Sequence, residues 1–249
     1  MTRRFYIEPP ALDVDEVPLP AALAHRLSRV LRLTPGDTIV LFDGSGFDAT
    51  ARIDALNERA GTATILDRRA GMPEPRTRVH LYQAISKGER FEWLVEKATE
   101  IGVARIVPLI TARSVVRTRG DAGRIERWRR IAVEAAEQCG RTAVPAVDVP
   151  QSFAAAVAEA PGVLLVPYET AGEGALEIPT ALDRHVDALF ATAEVSILIG
   201  PEGGFAPEEI AAAQERNASI VTLGRRTLRA ETAGLVALTL VLHVTGELN

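Results

Sequence analysis

The sequence predicts an α/β protein in two parts: a small β-barrel, followed by a larger parallel sheet covered by helices. Three observations carry this. Residues 5–66 break into short apolar strands separated by tight turns, the pattern of a small barrel. Gly71-Met72-Pro73-Glu74-Pro75 follows, rich in residues that punctuate a chain, and reads as a linker. From Val79 onward, strands alternate with helices, and strands that must be joined by helical crossovers lie parallel. A length of 249 residues accommodates both parts. The boundary is placed between residues 1–72 and 73–249.

The elements follow from local pattern. Phe5, Tyr6 and Ile7 form a short strand stopped by Pro9-Pro10. Residues 21–31 read as a helix, with Leu23, Leu27, Val30 and Leu31 on its apolar positions and His25, Arg26, Arg29 and Arg32 on polar ones. Pro35-Gly36-Asp37 is a turn, residues 38–42 a strand, Asp43-Gly44-Ser45-Gly46 a hairpin, and residues 47–53 the return strand. Residues 61–66 add another strand. In the second part, strands are expected at 79–85, 104–109, 162–167, 195–199 and 219–223. Helices are expected at 88–101, 124–140, 207–216 and 231–245. Gly102 closes the first of these, because a glycine tolerates the left-handed geometry that ends a helix.

Composition narrows the function classes. Hydrophobic residues make up 47% and charged residues 24%, which excludes a disordered chain and a collagen-like repeat. The single cysteine, Cys139, excludes an internal disulfide and a cysteine-built metal cage, so a cytoplasmic protein is expected. No run resembles a signal peptide or a membrane span. The four histidines are scattered, so no metal site is expected. A formal net charge of −5 argues against a nucleic-acid binder when taken alone. That total conceals an asymmetry. Residues 76–141 carry 14 basic and 8 acidic side chains, and residues 142–222 carry 2 and 12. A basic zone beside an acidic one points to an anionic partner, against the plainer alternative of solvated helix faces.

Four motifs carry chemistry. Ile199-Gly200-Pro201-Glu202-Gly203-Gly204-Phe205 ends an apolar strand in a glycine-rich loop, and Pro207-Glu208-Glu209 then opens a helix. The carboxyl edge of a parallel sheet is where such folds bind ligands, and glycines let a ligand approach the main chain. The loop is neither G-x-G-x-x-G nor a Walker A motif. The second motif, Leu223-Gly224-Arg225-Arg226-Thr227-Leu228-Arg229-Ala230-Glu231-Thr232-Ala233, also follows a strand. Arg229 and Glu231 are its functional candidates, because charges between buried elements need a partner or a use. For Arg225 and Arg226 a solvent-facing role stands open. The third, Ser86-Lys87-Gly88-Glu89-Arg90, places Lys87 at a strand end as a phosphate contact. The fourth, Glu137-Gln138-Cys139-Gly140-Arg141, closes the helix that carries much of the basic zone. That zone also includes Arg113, Arg117 and Arg119, and arginine clusters suit RNA phosphates and bases.

These motifs, together with Arg4-Phe5-Tyr6, residues 25–32 and Leu41-Phe42-Asp43-Gly44, make the chain resemble the RsmE-type methyltransferases of the SPOUT class, nearly end to end. That family methylates uridine N3 in small-subunit (16S) ribosomal RNA. The resemblance implies a PUA-like RNA-binding barrel followed by a SPOUT domain with a C-terminal trefoil knot, a topology otherwise nearly absent from proteins. It implies S-adenosylmethionine as cofactor, held by Pro167, Gly200, Pro201, Glu202, Gly204, Leu223, Gly224, Leu228, Arg229, Glu231 and Thr232. It also implies a homodimer. Residues 142–190 match the family weakly, and Ala230 replaces a residue that is often threonine. Arg229 is expected to stabilise the uridine anion, and Glu231 to orient Arg229 or to accept the proton. Arg26, Arg29, Arg32, Lys87, Arg113, Arg117 and Arg141 are expected to contact the RNA, in an assembled small subunit. A non-catalytic RNA-binding assembly factor is the alternative from another class; an enzyme using residues 200–204 as an anion loop is a third.

Overall fold

The structure, a computed structural model, describes residues 3–114, 121–169 and 175–248. The chain divides into two compact units, Met1–Glu74 with Val133–Val144, and Pro75–Ala132 with Pro145–Asn249.

In the first unit, alternation of apolar residues produces β1 (Arg4–Tyr6), β2 (Glu16–Leu19), β3 (Thr38–Phe42), β4 (Phe47–Leu56) and β5 (Gly61–Ala70). They form a five-stranded sheet in the order β1-β3-β4-β5-β2. β1 pairs parallel with β3 and the other ladders are antiparallel. The predicted helix over 21–31 is present in two pieces, α1 (Ala21–His25) and a π-helical turn (Arg26–Val30). Leu23 and Leu27 from these pieces join Phe5, Ile39, Leu41 and Ile53 in one apolar core. β2 has no counterpart in the sequence reading, since a proline in its four residues masks the strand pattern.

Residues 133–144 belong to this unit, and this explains the Glu137–Arg141 motif. Glu137 accepts a hydrogen bond from the Tyr6 amide at 3.0 Å and pairs with Arg26 at 2.7 Å. Gly140 caps the helix at φ +89°, a conformation that favours glycine. The Arg141 side chain, 8% exposed, pairs with Glu74 at 2.5 Å. Such a buried pair fixes position more than it adds stability.

The second unit runs β6 (Arg78–Ala84), α2 (Arg90–Ile101), β7 (Arg105–Ile110), α3 (Ala122–Cys139, whose last turns lie in the first unit), β8 (Ala146–Val147), β9 (Gln151–Ser152), α4 (Phe153–Glu159), β10 (Val163–Pro167), β11 (Leu176–Glu177), α5 (Ile178–Arg184), α6 (Val186–Thr192), β12 (Glu194–Ile199), α7 (Pro207–Glu215), β13 (Ser219–Thr222) and α8 (Ala230–Val244). Every ladder in this sheet is parallel, in the order β11-β13-β10-β12-β6-β7-β8, with β9 also paired to β7. The predicted strands and helices are all found. The structure adds α4, α5 and α6 with three two-residue strands, all within the acidic, weakly patterned stretch.

Successive strand residues face opposite layers. Tyr82 and Leu198 pack under Phe153, Val157 and Ala213 of α4 and α7. Gln83, one residue on, faces α8 and donates from Nε2 to the Ala230 carbonyl at 3.3 Å. α8 lies over the middle strands, against β6, β12 and α2. Gly234 sets that distance: a Cβ there would stand 2.3 Å from Gln83 Oε1 and 3.1 Å from Leu94 Cδ1.

Two predictions follow from this packing. In an exposed helix, glycine to alanine gains about 1 kcal/mol of propensity. At Gly234 overpacking against the buried Gln83 outweighs it, at about 1–3 kcal/mol. Gly234→Ala is therefore expected to lower stability by roughly 1 kcal/mol in urea denaturation. His80 is buried, with Nε2 3.4 Å from Glu194 Oε1 in a geometry that makes no well-formed hydrogen bond. Burial pushes its pKa down, against the pull of Glu194 and with help from Arg105 and Arg78. The unfolded chain therefore binds a proton that the folded chain resists. Stability is full above the ordinary histidine value of about 6.5 and falls as pH drops from there toward the depressed folded value. His80→Asn should flatten the acid side of a stability-versus-pH curve measured by denaturant titration.

Candidate functional site

The carboxyl ends of β10, β12 and β13 open onto a cavity of about 350 Å³. Its first wall continues β12. Ile199 ends the strand, and Gly200, Pro201, Glu202 and Gly204 turn the chain back toward α7. The Gly204 amide donates to the Pro201 carbonyl at 2.8 Å, closing the turn, and Gly204 sits at φ +67°. Gly200 faces the Phe205 ring, which an added Cβ would meet at 3.3 Å. Phe205 is buried, edge-on to Phe153 with ring centroids 5.3 Å apart, and its burial anchors the loop by about 2 kcal/mol.

Two polar side chains brace this loop from outside. Arg113 donates from Nη1 to the Gly203 carbonyl at 2.9 Å. Glu209, in the first turn of α7, accepts from the Ala206 amide and the Ala112 amide, both at 2.8 Å. Arg113, expected on RNA, is thus placed on the glycine loop.

The second wall follows β13. Leu223, Gly224, Leu228 and Arg229 line the cavity, as do Arg225 and Arg226. The two arginines for which a solvent-facing role stood open are exposed and border the cavity as well. Gly224 adopts φ +103° with open space where a side chain would stand. The third wall is Pro167, Tyr168 and Glu169 beyond β10, and the Tyr168 amide donates to the Val221 carbonyl at 3.0 Å. Of the residues expected at the cofactor, all but Glu231 and Thr232 line this cavity.

Glu231 and Thr232 line a second cavity of about 680 Å³, together with Lys87, Arg90 and Trp93 of the β6–α2 junction. Arg229 borders both cavities. It is the cap residue of α8, extended at φ −63° and ψ 149°, and its carbonyl accepts from the Ala233 amide at 2.8 Å. Glu231 is 6% exposed. Its Oε1 lies 3.8 Å from Arg90 Nε, and its Oε2 is buried without a hydrogen-bond partner. Arg90 also reaches Glu202 at 3.7 Å, so one guanidinium stands between the two loops. Arg90 and Trp93 were not singled out in the sequence. Their only signal was position, immediately after a loop that follows a strand end.

The remaining basic candidates are dispersed. Arg26 pairs with Glu137 and lies over the Phe5 ring at 5.2 Å. Arg29 is exposed and pairs with Glu58 at 3.0 Å. Arg32 is exposed at φ +56°, and Arg141 is buried on Glu74. Arg117 and Arg119 lie outside the described residues. Among the described residues no cluster of potential metal ligands occurs, and no helix is long and apolar enough to cross a membrane.

An RNA methyltransferase domain profile matches residues 73–242, and an RNA methyltransferase PUA domain profile matches residues 27–66. The ribosomal RNA small subunit methyltransferase E of Synechocystis is 34% identical, over 96% of this chain and 76% of its own length. The chain belongs to the ribosomal RNA small subunit methyltransferase E family. The Bacillus subtilis family member is 30% identical over 98% of this chain and 97% of its own. A crystal structure of the family member from Neisseria gonorrhoeae, bound to S-adenosyl methionine, is 32% identical and superposes with a TM-score of 0.84, covering 98% of both chains. The family assignment makes the second unit an S-adenosylmethionine-dependent RNA methyltransferase domain and the first a PUA-like one.

The loop conformation yields a prediction. At φ +67°, a residue with a side chain is strained by about 1–2 kcal/mol. Gly204→Ala, with nothing nearer to its Cβ than Glu169 Oε1 at 3.9 Å, should fold normally. Its affinity for S-adenosylmethionine, measured by titration calorimetry, should fall about tenfold as the turn relaxes.

Proposed function

We propose that this chain transfers a methyl group from S-adenosylmethionine to N3 of a uridine in 16S ribosomal RNA, in an assembled small subunit, as a cytoplasmic homodimer. The observation that carries this is the position of Arg229, a wall shared by two cavities of different character.

The first cavity suits the cofactor. Ile199, Phe205, Leu223 and Leu228 offer apolar surface to a purine, while Glu169 and Glu202 offer negative charge to a cationic ligand. Arg225 and Arg226 offer positive charge to a carboxylate. The glycines expose main-chain amides and carbonyls. When bound, the cofactor supplies an electrophilic methyl carbon on a sulfonium.

The protein's task is then to prepare the nucleophile. Uridine N3 carries an imide proton and attacks poorly until that proton leaves. A guanidinium beside the base stabilises the resulting anion, and Arg229, whose backbone caps α8, stands at the wall of both cavities to supply it. Glu231, buried beside Arg90, orients these cations and offers Oε2 as proton acceptor. Holding nitrogen and methyl carbon in line supplies much of the remaining acceleration.

Two structural features of the proposal have support. The chain leaves β13 near one edge of the sheet and returns as α8 over β6 and β12, a course that a trefoil knot shares with unknotted α/β folds. α8 also keeps Val236 and Leu240 half-buried and Val244 exposed, an apolar flank for a second copy. RNA is gripped in this reading by the PUA-like unit through Arg29 and Arg32, and by Lys87.

Arg229→Ala should reduce kcat by about 10²- to 10³-fold with the fold unchanged. The readout is N3-methyluridine in digested small-subunit RNA, quantified by mass spectrometry. Wild-type turnover in that variant, or methylation at another atom by the wild type, would refute the assignment.

A further inference from the structure

The second cavity takes none of the cofactor in this reading, yet it contains an exposed indole among cations. On α2, the neighbours Phe91, Leu94 and Val95 are buried, whereas Trp93 is 46% exposed. The other tryptophan, Trp128, is 1% exposed and packs at a tilt against Phe91, with ring centroids 4.3 Å apart. A helix whose apolar face is already filled has no packing need for an indole on its outer side.

We propose that this cavity seats the target pyrimidine nucleotide, with Trp93 as the stacking platform for its base and Lys87 and Arg90 as the contacts for a flanking phosphate. The proposal rests on the RNA-methylation reading above. Every base has a π face, and an indole beside guanidinium and ammonium groups is the chemistry that holds an unstacked nucleotide. Lys87 is exposed, and no ion pair engages it among the described residues. Gly88 stands at φ +68° with empty space above it, so a phosphate can reach the main chain there.

A second, independent observation points to a ligand. Glu231 lines the same cavity, is 6% exposed, and leaves Oε2 buried without a partner. A buried carboxylate oxygen in that state calls for a donor. Once the carboxylate turns toward the cavity, the imide N–H of uracil is such a donor, and cytosine, which has only an acceptor at that position, is not. The cavity therefore selects the base as well as seating it. Arg229, at the wall shared with the cofactor cavity, keeps the seated base beside the methyl donor.

The test is steady-state methylation of isolated small subunits and of their RNA by wild type, Trp93→Ala, Trp93→Phe and Lys87→Ala. Trp93→Ala should raise KM for RNA about tenfold, and Trp93→Phe should restore most of it. Lys87→Ala should reduce the slope of log affinity against log salt by about one. S-adenosylmethionine affinity and molecular size should stay at the wild-type values in all three. An unchanged KM in Trp93→Ala, or a change in oligomeric state in its place, overturns the proposal and assigns Trp93 to another role. Failure of the wild type to methylate either RNA would instead refute the activity on which the proposal rests.

Discussion

The close approach of α8 to β6 is the constraint from which the site follows. Gly234 has no side chain, so α8 settles against Gln83 and Leu94 at a distance that an added Cβ would crowd. Gln83 then ties the first residue of the helix, Ala230, to the sheet. Arg229 caps the helix and Glu231 lies in its first turn, so both inherit their positions from that contact. The cavities thus depend on packing in the middle of the sheet, away from the loops that line them.

The same reasoning explains why charge counts mislead. The basic zone of residues 76–141 is real in the sequence, but several of its members are engaged inside the fold. Arg141 is buried on Glu74, Arg105 pairs with Asp148, and Arg113 braces the glycine loop. Arg26, outside that zone, is held by Glu137 and the Phe5 ring. The acidic zone is engaged as well: Glu169 and Glu202 border the first cavity, and Glu209 pins two amides around the loop that forms it. A net charge of −5 is accordingly compatible with an RNA-modifying enzyme, since local fields around a few residues decide what binds.

The glycine loop and the Leu223–Ala233 segment were legible because their chemistry is local. A strand that ends in glycines and is followed by a helix has one place to be, the carboxyl edge of a parallel sheet. The helices between 150 and 192 were less legible. They are short, and alanine-containing stretches such as 153–159 and 186–192 give weak periodicity, so tertiary packing decides their type. The Glu137–Arg141 motif reads as a polar cluster in sequence, and only the fold shows it fastening residues 133–144 to the first unit.

By itself, then, the sequence determined the alternation of elements, the parallel character of the second sheet and the two glycine-bearing loops that wall the first cavity. Each depends on residues adjacent along the chain, where periodicity and turn chemistry act directly. The tertiary structure alone decided that Arg229 stands between two cavities, that Arg90 bridges Glu202 and Glu231, and that Trp93 faces outward beside them. Arg90 and Trp93 lie more than a hundred positions from Glu202, Arg229 and Glu231. Nothing local links them; they meet because parallel strands place distant loops on one edge and because a helix with a glycine at its contact can come close enough to join them.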